Sequence, residues 1–223
     1  TMDLRDKTVN CLGDSITEGV GVSDVSCFRF DSIIGKKCGC RKVNNYGIGG
    51  TRIAHKTQPS EKARHDMNFC GRCHDMNRDA DVIIVFGGVN DYLHGDAPLG
   101  KPGDKGRDTF CGSVDYLTRT IRELYPNALP VFFTPAHCFC DDGFSQIRPE
   151  GLVREEHFLS EFSQAIKTIA PQNGFYVFDM FEELGIDPKK PEDREKYTVD
   201  GLHFNDEGNA VIADVMIRCI SSI

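Results

Sequence analysis

Tryptophan is absent from the chain. That weakens any flat platform on which a sugar ring could stack, although Tyr92, Phe110 and Phe139 remain for the purpose. Long apolar runs are missing as well. No stretch approaches the roughly 20 residues that span a bilayer, and no exposed apolar helix argues for a lipid surface. The first residues, TMDLRDKTVN, contain no apolar segment of the kind that drives secretion. The expected location is therefore cytoplasmic, a secretion signal removed earlier being the alternative. Basic runs are missing too: 26 Lys and Arg face 34 Asp and Glu, for a net charge of -8. Nothing there would offset the repulsion of a nucleic-acid backbone. Neither a nucleic acid nor a membrane is expected as a partner, and oligomeric state is not legible.

Cysteine, by contrast, is plentiful, with ten in the chain. Their spacing is irregular, and 223 residues with 39% hydrophobic content can build a core without covalent staples. Most are read as reduced thiols, and Cys11 as a small apolar side chain in a buried strand. One cluster offers a sharper reading. In HDMNFCGRCHDMN, Cys70, Cys73 and His74 form the C-x-x-C-H pattern of covalent haem attachment, and His65 could complete a zinc set. The segment directly precedes a strong strand and is expected to be a helix that packs Cys70 and Cys73 one turn apart. No metal and no cofactor is therefore expected. Cys38–Cys40 and Cys138–Cys140 do not match a zinc-ribbon spacing.

The length and the absence of any linker imply a single domain over 1–223, with 1–7 an N-terminal extension and Thr1 a remnant of cloning. Five strand candidates run along it: Val9 to Leu12, Lys42 to Tyr46, Asp81 to Phe86, Leu129 to Thr134 and Phe175 to Asp179. The third, DVIIVF, is an unbroken β-branched run of the type buried on both faces. Between them lie helical patterns: Cys27 to Cys38; Leu117, Ile121 and Leu124; Leu159, Phe162, Ile166 and Ile169; and Val211, Ile212, Val215, Met216 and Cys219, opened by Asn205. Strict alternation implies a parallel sheet with helices on both faces. In such sheets reactive groups gather at the carboxyl ends of the strands. Two long loops, Tyr92 to Gly112 and Pro135 to Gly151, are expected to overhang that edge.

Ser15 stands just past the end of the first strand, in VNCLGDSITEGVGV. A serine there caps a helix or acts as a nucleophile, and a nucleophile needs a base. The setting YTVDGLHFNDEGN supplies one: Asp200, three residues before His203, can accept from Nδ1–H and leave Nε2 free for the serine proton. Acyl transfer also needs donors for a developing oxyanion. Asn90 follows the third strand in FGGVNDY, and Gly49 and Gly50 follow the second in NNYGIGGTR. Each feature alone has an ordinary explanation as a turn or cap. Their order, each of the first three at a strand end, favours chemistry.

Taken together, these segments resemble the SGNH hydrolases, also called GDSL esterases/lipases. GDSITEG is similar to the first block of that family, NYGIGGT to the second, GVND to the third and DGLH to the fifth. The resemblance spans Val9 to Gly208. It implies a flavodoxin-like three-layer α/β/α sandwich with a five-stranded parallel sheet. It also implies ester hydrolysis through an acyl-enzyme, with Ser15, Asp200 and His203 catalytic. The backbone N–H of Ser15, Gly50 and the Asn90 side chain would form the oxyanion hole. Phe204 stands where many members have proline, and Ile16 replaces the leucine of the GDSL name.

A non-catalytic binding module on the same fold is the competing class, but such a module should lack the serine, histidine or asparagine. The expected substrate is a small-molecule ester with a small acyl group, acetyl esters of carbohydrates among them. Lysophospholipase or thioesterase action is the alternative. Asp14, Tyr92, Leu93 and His94 are the candidate substrate contacts.

Overall fold

The computed structural model describes residues 1–141 and 157–223. Five strands, β1 (Thr8–Gly13), β2 (Lys42–Gly47), β3 (Val82–Phe86), β4 (Leu129–Phe133) and β5 (Tyr176–Phe178), form one sheet in the order β2-β1-β3-β4-β5. Every neighbouring pair is parallel. All five side chains of β3 are buried. Their period of two explains how: Ile83 and Val85 enter one core, while Val82, Ile84 and Phe86 enter the other. A strand flanked by two cores has no polar face, hence the unbroken VIIVF.

The helices that close those cores are Phe110–Leu124 and Leu159–Ile169 on one face, and Phe30–Cys38 and Asp206–Ser221 on the other. Leu117, Ile121, Phe162 and Ile166 supply the first apolar layer, and Ile34, Ile212, Val215 and Met216 the second. The architecture is the three-layer α/β/α fold that the alternation implied.

Three local expectations change. The single helix drawn over Cys27 to Cys38 is two, Val25–Phe28 and Phe30–Cys38, because Arg29 is extended (φ -68°, ψ 138°) and bonds Asp31 and the Glu18 carbonyl. The helix expected around Cys70 is three short turns, Ala63–Asp66, Phe69–Arg72 and Cys73–Asp75, interrupted where Asn68 leaves helical dihedrals to cap Gly71 N–H. The loop drawn from Tyr92 is irregular only over 95–109, since Val89–His94 and Phe110–Leu124 are both helical. Of the second loop, 142–151 lies outside the described residues.

Where β1 ends, the chain must turn at once into the helix Ser15–Glu18. A Cβ on Gly13 would lie 1.9 Å from Thr17 Oγ1 and 2.8 Å from the Phe86 carbonyl oxygen. Gly13→Ala is expected to cost about 1–3 kcal/mol of stability through overpacking, read as a lower urea midpoint. An unchanged midpoint would mean that the turn has room to relax.

Candidate active site

The sheet order reverses direction between β1 and β3, and in open α/β sheets the crevice beyond the carboxyl ends at such a point is where ligands bind. Register sets the depth of that crevice. Gly13 pairs with Gly47 on one side and with Phe86 on the other, so three strands end level. Ser15, Gly50 and Asn90 follow those ends by a few residues each.

Ser15 opens the helix Ser15–Glu18 and is buried. The Asp14 carboxylate caps that turn by accepting from Ile16 N–H at 3.0 Å. His203 Nε2 stands 2.9 Å from Ser15 Oγ. Its Nδ1 stands 2.6 Å from Asp200 Oδ2. An ionised carboxylate only accepts, so Nδ1 carries the proton and the Nε2 lone pair faces the serine hydroxyl. Asp200 Oδ1 also accepts from Leu202 N–H at 2.9 Å and His203 N–H at 2.7 Å. Partial burial pushes the Asp200 carboxyl up, but the bonds from the His203 ring and the two backbone N–H groups outweigh it and hold the group below its ordinary range.

The loop after β2 is stitched to this centre by residues that sequence reasoning did not single out. Glu18 Oε2 accepts from Gly49 N–H at 2.5 Å, and its other oxygen pairs with Arg64. Of the two glycines, Gly49 therefore has its N–H engaged. Gly50 sits at φ +72°, the left-handed region, where an added Cβ would meet the His65 ring at 3.0 Å. Asp91 accepts from Ile53 N–H and Ala54 N–H, both at 2.9 Å. Asn90 Nδ2 donates to the Thr51 carbonyl at 3.0 Å. Arg72, from the short turn Phe69–Arg72, donates to the carbonyls of Tyr46 and Gly13 and to Thr51 Oγ1. Burial lowers its guanidinium to about 10. Asp91 and Glu18 lay within the quoted motifs and could have been read from them. Arg72 left no signal, since a lone arginine beside C-x-x-C reads as surface.

The candidate substrate contacts divide by helix face. Val89, Tyr92 and Leu93, at positions i, i+3 and i+4, point into the core. Tyr92 is fully buried with its hydroxyl donating to the Cys140 carbonyl at 2.6 Å, and Leu93 is 3% exposed. Among the described residues both side chains are taken up by the core and present little surface to a substrate. His94, at i+4 from Asn90, shares the other face: its Nε2 is 3.0 Å from Asn90 Oδ1 and its Nδ1 is 3.2 Å from Arg52 Nη1.

The C-x-x-C-H residues do not converge. Cys70 and Cys73 are buried, with Sγ donating to the Ser113 and Cys70 carbonyls, while His74 bonds Tyr116 and His65 lies against Gly50. Burial pushes the Cys70 thiol well up and that of Cys73 to about 12. Among the described residues no three His, Cys, Asp or Glu side chains come together as a metal set, and no helix is long and apolar enough to cross a membrane.

Asp14 is 1% exposed, and its Oδ2 has no hydrogen-bond partner among the described residues. It lines a narrow cleft with Phe86, Pro135 and His137. Burial raises its carboxyl to about 6, against the opposing bond from Ile16 N–H. A folded-state value above the unfolded one means that stability falls as pH rises between the two and stays low above the upper one. Asp14→Asn keeps the capping oxygen and removes the charge. The variant is expected to be more stable than the parent at pH 8, by up to about 3 kcal/mol, with the gain vanishing towards pH 4. A difference in urea-unfolding free energy that does not vary with pH would contradict this.

No curated protein matches the chain. A solved structure 30% identical covers 100% of this chain and 99% of its own, with a TM-score of 0.83. A Lactobacillus plantarum protein, 28% identical, covers 98% of both chains with a TM-score of 0.80. The lipase/acylhydrolase from Enterococcus faecalis, 18% identical, shares the fold over 97% of this chain and 96% of its own, with a TM-score of 0.62. The profile of the GDSL-like lipase/acylhydrolase family matches residues 11–211. With that match spanning both Ser15 and His203, the chain belongs to the GDSL-like lipase/acylhydrolase family.

Proposed function

We propose that this hydrolase is a serine esterase that cleaves carboxylic esters through an acyl-enzyme. The observation that carries the reading is the unbroken hydrogen-bond chain from Ser15 Oγ through His203 to Asp200. Ser15 Oγ attacks the ester carbonyl carbon while His203 Nε2 takes its proton. Asp200, held ionised, stabilises the imidazolium that results. The carbonyl oxygen becomes an oxyanion, received by the backbone N–H of Ser15 and Gly50 and by the Asn90 amide. Asn90 Nδ2 has two hydrogens, and the Thr51 carbonyl uses one of them. As the tetrahedral species collapses, His203 returns the proton to the leaving alcohol oxygen. Water then gives a proton to His203 and attacks the acyl carbon; as this second tetrahedral species collapses, the bond to Ser15 Oγ breaks, His203 returns the proton to Oγ, and the acid is released.

The acyl group is read as small. Tyr92 and Leu93, apolar residues that follow Asn90 closely in sequence, belong to the core.

Ser15→Ala and His203→Ala are each expected to lower kcat on p-nitrophenyl acetate by about 10⁴-fold or more. Retention of a tenth of the parent rate would remove the assignment. Asn90→Ala should cost about 2.7–4 kcal/mol in kcat with little change in KM. A purely raised KM would make Asn90 a ground-state binder. Across p-nitrophenyl esters from acetyl to palmitoyl, kcat/KM should fall as the chain lengthens. A maximum at the long esters would point to a lipid substrate.

A further inference from the structure

The Asn90 side chain offers an oxyanion donor only if its amide points the right way. A half-turn about its last torsion exchanges oxygen for nitrogen with almost no change in shape. We infer that His94 is a positioning residue that locks this orientation, itself locked by Arg52. The inference rests on the esterase reading above.

Three bonds carry it. Asn90 Nδ2 donates to the Thr51 carbonyl, so Asn90 Oδ1 is the atom 3.0 Å from His94 Nε2. An amide oxygen only accepts, so His94 Nε2 carries the hydrogen. In the neutral ring, Nδ1 is then the acceptor, and what stands 3.2 Å from it is Arg52 Nη1, which only donates. In each of these three bonds a donor meets an acceptor. Turning the Asn90 amide over would set its oxygen against the Thr51 carbonyl and its N–H against the His94 N–H.

Arg52 is built to hold that end. It is 1% exposed, and its Nη2 donates to Asp66 Oδ1 at 2.8 Å and to the His65 carbonyl at 3.1 Å. Asp66 is fixed in turn by Ser60 N–H and Ser60 Oγ at 2.8 and 2.7 Å. Arg52 Nη1 also reaches the Gly50 carbonyl at 3.4 Å. One buried guanidinium therefore braces both the glycine and the asparagine proposed for the oxyanion hole. The partners come from three separated segments, and the histidine is one helical turn beyond the asparagine. A buried arginine is costly unless its donors are matched. Here Nη1 and Nη2 are matched by the loop 50–66 and by His94, while Nε has no partner among the described residues.

The first test needs no substitution in the measured protein. Wild-type chain carrying ¹⁵N-histidine is examined by NMR at neutral pH, with the His94 signals assigned by their loss in His94→Gln. A neutral ring protonated on Nε2 supports the inference. An Nδ1–H tautomer or an imidazolium overturns it. The second test is kinetic, on p-nitrophenyl acetate. His94→Leu should lower kcat by about ten- to a hundredfold, the scale of a small misplacement, with KM within about twofold. His94→Gln, which keeps an N–H near the place of Nε2, should restore most of the lost rate. In an Asn90→Ala background, His94→Leu should cost nothing further, since its effect passes through Asn90. An equal loss in both backgrounds, or a loss confined to KM, overturns the role. If the wild type shows no Ser15-dependent hydrolysis, the esterase reading fails, while the tautomer measurement still decides the His94 lock.

Discussion

The hydrogen bond between Ser15 Oγ and His203 Nε2 joins residues 188 positions apart in the chain, and much of the remaining architecture holds its two ends at 2.9 Å. The serine end is set by β1, which is buried along its whole length and stops at a glycine with no room for a side chain. The histidine end is a loop held by its own short-range bonds. Thr198 and Phe204 form an isolated antiparallel bridge, Val199 N–H donates to the His203 carbonyl, and Gly201 N–H donates to Thr198 Oγ1. Asn205 then caps the helix Asp206–Ser221 through Gly208 N–H, and that helix packs into the core beneath β1. The base thus hangs from a rigid helix start, and little ordering is left for the moment of reaction.

The other side of the crevice has a different logic. The loop after β2 carries no regular structure up to its first short turn, so its backbone groups need partners from elsewhere. Asp91 and Glu18 provide them, each from a different element, while Arg72 holds the Gly13 and Tyr46 carbonyls of β1 and β2 and the Thr51 hydroxyl. Two of these, Asp91 and Arg72, are buried charges with several bonds each. Removing one partner of such a set leaves the rest uncompensated, which costs more than the set contributes as a whole. This side of the crevice is therefore stiff through polar contacts, where the serine side is stiff through apolar packing.

Much of this was legible in the sequence. VIIVF announced a strand buried on both faces, and the helical spacing of Leu159, Phe162, Ile166 and Ile169 announced its cover. The positions of Ser15, Asn90 and His203 followed from strand ends and one capped helix. What failed did so for local reasons. Tyr92 and Leu93 looked like loop residues because GVNDYLHG holds too few apolar positions to show a period, yet a single helical turn suffices to bury them. Arg29 broke a helix that its neighbours would have continued, because its partners, Asp31 and Glu18, were invisible as a set until the fold joined them. That Gly49 has its N–H taken depended on a glutamate 31 residues away.

Covalent capture at Ser15 tests the account most directly. In the mechanism above, Ser15 Oγ is activated by His203 and so displaces fluoride from an alkyl fluorophosphonate, forming an Oγ–phosphorus bond. Intact mass followed by peptide mapping should show one phosphonyl adduct, on the peptide that contains Ser15, formed in parallel with loss of esterase activity. Active protein that loses no activity to the reagent, or an inactivating adduct on any other residue, would contradict it.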